Sequence, residues 1–233
     1  MEYKTFKEIR KTLVMELNEC FTDDNFKFIK IMNKEIEEGT DREGFFPYCS
    51  GWIGNSAPIV GETILFLGQD FGTEKYFLKI NNTGEVREST CNGLKKLGES
   101  ILNKGFLSNI FVGLRKHPPM KGLNHEALSL KYIDLNKKYL DIQIEVINPS
   151  LIILLGHVPH QFVRNNYDSI FDDEKTNEIM NFKFKKEDSY LSFKAKFDKS
   201  YQCLTIAHPS NWISKNLNSE NYPKIITELL NKG

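Results

Sequence analysis

A chain of 233 residues, 40% hydrophobic and 27% charged, can bury one core of ordinary size and needs no second domain, and its balance excludes the disordered and fibrous classes. Its 31 Lys and Arg offset 31 Asp and Glu, a formal net charge of zero, which excludes binding along nucleic acid through overall basicity, so any DNA contact must be local. Cys20, Cys49, Cys91 and Cys203 form no Cys-x-x-Cys pair, so neither a zinc site nor a disulfide framework is indicated, and reduced thiols are expected.

The chain opens Met1–Glu2–Tyr3–Lys4–Thr5–Phe6–Lys7–Glu8 without an apolar signal core, and no apolar run approaches the roughly 20 residues that span a bilayer. A cytoplasmic protein without membrane contact is expected. Phe6, Ile9, Leu13 and Leu17 recur at helical spacing between about Thr5 and Cys20, and Asp23 or Asp24 can cap a second helix toward Glu38. These helices form an N-terminal extension, about 1–40, of a single domain spanning 1–233. Gly39–Gly61, rich in Gly, Pro, Ser and aromatics, reads as a long loop of the kind that is often functional. A strand follows at Thr63–Leu67, then a helix around Leu94–Asn103 and a strand at Asn109–Val112. A helix around Leu130–Ile147, a strand at Leu151–Leu155 and a helix near Val158–Tyr167 come next. This alternation predicts an α/β fold with a mostly parallel, four-stranded central sheet flanked by helices. Asn181–Phe197 alternates apolar and charged residues and fits a hairpin or an edge pair. Gln202–Ala207 is the last strand, leading through His208 to a final helix at Tyr222–Leu230.

Three segments share one pattern. Ile64–Leu65–Phe66–Leu67–Gly68–Gln69–Asp70–Phe71–Gly72–Thr73 delivers a polar turn from an apolar run; Ser108–Asn109–Ile110–Phe111–Val112–Gly113–Leu114–Arg115 and Leu204–Thr205–Ile206–Ala207–His208–Pro209–Ser210 do likewise. Each sets a polar residue at one end of a strand, Asn109 at the start of its own. In open parallel sheets, ligands bind at strand ends. Taken singly, Asp70 also suits a turn, Asn109 a strand end bonded to backbone, and His208 a structural position before Pro-Ser.

Together the segments resemble the uracil-DNA glycosylase superfamily, over about Thr63 to Ile213. Gly68–Gln69–Asp70 is similar to the opening of the Gly-Gln-Asp-Pro-Tyr motif of the uracil-excising branch; Ser108–Asn109–Ile110–Phe111 looks like its base-reading strand; His208–Pro209–Ser210 matches the His-Pro-Ser that opens its minor-groove loop. Tyr139–Gly156 is similar to the helix, Pro turn and strand of the iron–sulfur branch. The resemblance implies a three-layer α/β sandwich, a water-activating Asp70 and a Gln69 that contacts the base. Phe71 stands where the uracil branch has proline. Gly72 stands where it has the tyrosine that rejects thymine, as in the mismatch-specific and iron–sulfur branches, leaving room beside the pyrimidine C5. The cysteine spacing of the cluster-binding branch is missing, so no iron–sulfur cluster, and no other metal or cofactor, is expected.

Excising a base proceeds through an oxocarbenium-like transition state, with positive charge on the sugar and negative charge on the departing base. Asp70 can orient water and stabilise the cation, and His208 can hydrogen-bond the base oxygen where charge develops. Asn109 offers both a donor and an acceptor to a pyrimidine edge, and Phe71, Tyr76 and Phe77 are candidates to stack on a flipped base. Arg115 and Lys116, with His117 and Lys121, and Lys215 beyond the His-Pro-Ser loop, are candidates for phosphate contact. In Ser210–Asn211–Trp212–Ile213, either Trp212 or Ile213 fits the apolar wedge of an opened base step; Trp212 fits equally well under the final helix. The expected activity is hydrolysis of the N-glycosidic bond of uracil or another deaminated or damaged base in DNA, by a monomer. The alternative is a catalytically silent relative that binds nucleic acid or a free base. A small-molecule nucleotide enzyme is disfavoured because no Gly-x-x-x-x-Gly-Lys-Ser/Thr loop occurs.

Overall fold

The unbroken apolar runs Ile64–Leu67 and Leu151–Leu155 suit strands covered on both faces. Both are central strands in the computed structural model, which describes residues 51–52, 62–70, 88–111, 130–167, 192–193, 201–209 and 221–231. In chain order the described elements are β1 (Gly51–Trp52), β2 (Ile64–Gly68), α1 (Glu88–Lys95), α2 (Glu99–Leu102), β3 (Gly105–Asn109) and α3 (Leu130–Ile147), then β4 (Leu151–Leu155), α4 (His157–Asn166), β5 (Ser192–Phe193), β6 (Tyr201–Ile206) and α5 (Asn221–Leu230). The strand order is β1-β3-β2-β4-β6-β5. The inner four are parallel; β1 and β5 pair antiparallel with β3 and β6 at the two edges. The α/β fold with a mostly parallel sheet is the one expected from the alternation of elements.

Register sorts the strand side chains onto two faces. Phe66 lies beside Leu107 and Ile153, and Ile153 beside Leu204; this face packs on Leu94 and Leu97, on Ile101 and Leu102 of α2, and on Tyr222, Ile225 and Ile226 of α5. On the opposite face, Thr205 Oγ1 and His160 Nδ1 of α4 are hydrogen-bonded at 2.8 Å. Phe111, fully buried just past β3, stacks on Tyr132 of α3 with ring centroids 5.8 Å apart and meets Phe162 of α4 edge-on at 5.5 Å.

Several boundaries differ from the sequence reading. The helix expected around Leu94–Asn103 is two helices, the first beginning earlier, at Glu88, and the second capped at its start by Gly98, whose φ of +87° breaks the helical run. The strand expected at Asn109–Val112 lies earlier, at Gly105–Asn109. Local β-branched content favoured Ile110–Val112, but pairing decides: Ile64 N–H donates to Lys104 O at 2.8 Å and sets Gly105 beside Ile64. Gly51–Trp52, inside the expected loop Gly39–Gly61, pairs with Leu107 and Phe106, an edge contact that no local pattern announces. Within Asn181–Phe197, Ser192–Phe193 pairs with Gln202 and Tyr201 at the edge. The remaining strands and helices fall within a residue or so of expectation; α3 ends where Asn148 adopts φ +45° ahead of Pro149. The two expected N-terminal helices lie outside the described residues. Among the described residues no helix is long and apolar enough to cross a membrane.

Candidate functional site at the carboxyl ends of the parallel strands

The chain leaving β2 returns to β3 by way of α1 and α2, which pack on one face, whereas the chain leaving β4 enters α4, which meets the other. The ends of β2 and β4 are neighbours and their chains leave to opposite faces, so this edge is a topological switch point, the place where doubly wound sheets bind ligands. Gln69 and Asp70 follow β2 directly, Gly156 follows β4, and His208 lies two residues beyond β6. Asn109 is the last residue of β3 and pairs with Gly68. It therefore ends its strand rather than starting it, and the correction matters: at the start it would lie at the opposite edge of the sheet, whereas at the end it joins Asp70 and His208. All four polar residues are half-buried. β2 and β6 are separated by β4 alone, a backbone separation of about 10 Å at ordinary strand spacing.

The edge is held by backbone bonds. Ile110 N–H donates to Gly68 O and Phe111 N–H to Gln69 O, both at 2.9 Å, tying the polar turn to the buried Phe111; Gly156 N–H donates to Ile206 O at 2.8 Å, joining β4 to β6 just below His208. The Gln69 side-chain amide donates from Nε2 to Asp70 Oδ2 at 2.8 Å, so one carboxylate oxygen is oriented by its own neighbour. Ala207 N–H donates to Tyr222 Oη at 3.3 Å, fixing the turn before His208 from α5. Burial pushes the Tyr222 hydroxyl up to about 12, against a smaller opposing effect of that bond, so near neutral pH it stays protonated.

Small residues make room for the polar ones. A side chain at Gly68 would collide with the Asn109 amide oxygen, one at Gly93 of α1 would meet the Pro209 carbonyl at 2.5 Å, and one at Gly156, whose φ is +97°, would sit 3.4 Å from His208 Cβ. Among the described residues no group of three or more His, Cys, Asp or Glu is arranged to hold a metal. The remaining candidates, Phe71, Gly72, Tyr76, Phe77, Arg115, Lys116, Ser210, Asn211, Trp212 and Lys215, together with His117, Lys121 and Ile213, lie outside the described residues.

No known family model and no curated protein matches this chain. What the described edge offers chemically is a carboxylate, two amides and an imidazole at the carboxyl ends of the parallel strands, with the first turn of α4 beside them. Two supporting residues, Gly156 and Tyr222, are not among the site residues expected from the sequence. Gly156 had a signal, since Leu154–Leu155–Gly156 repeats the pattern of Phe66–Leu67–Gly68. Tyr222 had none: its spacing on α5 marks it as core, and only the packing shows its hydroxyl reaching Ala207.

Proposed function

We propose that the protein is a DNA glycosylase that hydrolyses the N-glycosidic bond of uracil or another deaminated or damaged base flipped out of DNA. One observation carries the reading: Gln69–Asp70, Asn109 and His208, residues far apart in sequence, end at the same edge of the sheet, at the exits of β2, β3 and β6. The gap of about 10 Å between the exits of β2 and β6 suits a nucleoside, with its sugar near Asp70 and its base toward His208. In this arrangement Asp70 orients water toward the sugar carbon and stabilises the cation as the bond breaks. The imidazole of His208 donates to the base oxygen that gains negative charge. Asn109, one strand from Asp70, reads the base edge, and Arg115, Lys116, Trp212 and Lys215 supply the DNA contacts. A flipped nucleotide needs only a local grip on the strand, which agrees with a net charge of zero.

The test is an excision assay on oligonucleotides carrying uracil, thymine opposite guanine, hypoxanthine or xanthine, each as single strand and duplex, with an abasic control. Release of at least one base is expected. Tight binding without release from any substrate would replace the proposal with that of a silent binder.

A further inference from the structure

Gly68 is the last residue of β2, in extended strand conformation, so its backbone asks for no glycine. Its neighbour in register is Asn109, and the volume that a side chain at position 68 would fill is taken by the Asn109 amide, with Oδ1 foremost and Cγ 3.5 Å away. The collision is with the far end of one side chain; the nearest backbone atom, Ser108 O, is at 3.7 Å, an ordinary contact. An added methyl group would therefore push the amide aside rather than disrupt the strand. Ser108 and Ile110, on either side of Asn109, are fully buried, and Ile110 N–H is bonded to Gly68 O, so the Asn109 backbone is fixed and the side chain alone can yield.

We propose that Gly68 is a positioning residue: the missing side chain at the end of β2 sets the rotamer in which Asn109 presents its amide at this edge of the sheet. Its consequence for base recognition rests on the glycosylase reading, whereas its control of Asn109 does not. Gly68→Ala is predicted to reproduce the effect of Asn109→Ala in a folded protein, and the two effects are not additive because both act through one amide.

Two measurements on the full chain test this. In 15N-labelled protein, the Asn109 side-chain NH2 pair is assigned by its disappearance in Asn109→Ala; in Gly68→Ala it should shift while the backbone spectrum is otherwise retained. In single-turnover excision from a uracil-containing single strand, Gly68→Ala and Asn109→Ala should each lose about 10²-fold, the scale of one lost polar contact at a reacting base, and the double variant should lose no more. An unmoved NH2 pair, or losses that multiply, would overturn the proposal. If the wild type releases no base, the glycosylase reading falls and the NMR shift alone decides the role of Gly68. Should Gly68→Ala fail to fold, Gly68→Ala/Asn109→Ala must fold, since it lacks the colliding amide; if it too is unfolded, the proposal is wrong.

Discussion

Asp70, Asn109 and His208 are short or rigid side chains on anchored backbone, so their chemistry can be removed without removing the fold. Asp70→Asn and His208→Ala are each expected to slow excision by about 10²–10³-fold, with DNA binding and the unfolding midpoint nearly unchanged. Rates equal to wild type in both would remove these residues from the mechanism. On the glycosylase proposal, specificity turns on Gly72, which stands where the uracil-excising branch has tyrosine: thymine opposite guanine should be accepted, and Gly72→Tyr should shift the uracil-to-thymine rate ratio by more than the about 1–3 kcal/mol that a methyl contact alone supplies. If wild type already rejects thymine as strongly as the variant does, Gly72 is not the open position. At this scale the residue types of the site were legible, because polar residues at the end of an apolar run stand out. Which end of its strand Asn109 occupies was not, since Ile110–Phe111–Val112 is as apolar and β-branched as a strand needs to be, and only pairing with β2 fixes the register.

The elements behind the site are joined by contacts of unequal worth. Tyr167, just past α4, donates its hydroxyl to Asp141 Oδ1 of α3 at 2.7 Å, while Lys137 donates to the other carboxylate oxygen at 3.1 Å and lies 4.7 Å from the Tyr167 ring centroid. Burial foremost, then the Asp141 charge and the hydrogen bond, pushes the Tyr167 hydroxyl well above the usual tyrosine range. Tyr167→Phe removes a hydrogen bond to a carboxylate and is expected to cost about 1.5–3 kcal/mol. Lys137→Met removes a partly exposed ion pair and a cation–ring contact and is expected to cost about 1 kcal/mol or less. Urea unfolding of the two variants checks the order; a larger loss for Lys137→Met would show that the lysine, whose ion pair with Asp141 lies within α3, outweighs the tyrosine hydrogen bond between α3 and the end of α4. The pairing itself was invisible in the sequence. Helical periodicity marks Tyr167 as apolar-facing, and nothing local indicates that its hydroxyl ends on a helix 26 residues earlier.

For the molecule as a whole, buried acids that are neutral when protonated predict an alkaline limit to stability. Burial raises the Cys203 thiol well above its ordinary 9.0 and the Tyr222 hydroxyl from 10.0 to about 12. A group raised in the folded state stabilises it fully below the ordinary value, and that contribution is lost as pH climbs toward the folded one. Urea midpoints should therefore hold steady up to about pH 9 as far as these groups are concerned and then fall. The Tyr222 share, on the order of 2–3 kcal/mol, disappears between about pH 10 and 12, and Tyr222→Phe should flatten the decline in that window. An equally steep fall in the variant would assign the limit to other groups. By itself, the sequence determined the α/β class, the alternation of the parallel strands with helices and the residue types of the candidate site, because burial on both faces demands unbroken apolar strands and polar turns interrupt them visibly. The tertiary structure alone decided that β2 sits between β3 and β4, that Gly51–Trp52 extends the sheet, and that Asn109 shares an edge with Asp70 and His208. Strand order and register are set by hydrogen bonds and packing between segments distant in the chain, and no local pattern records which segments will meet.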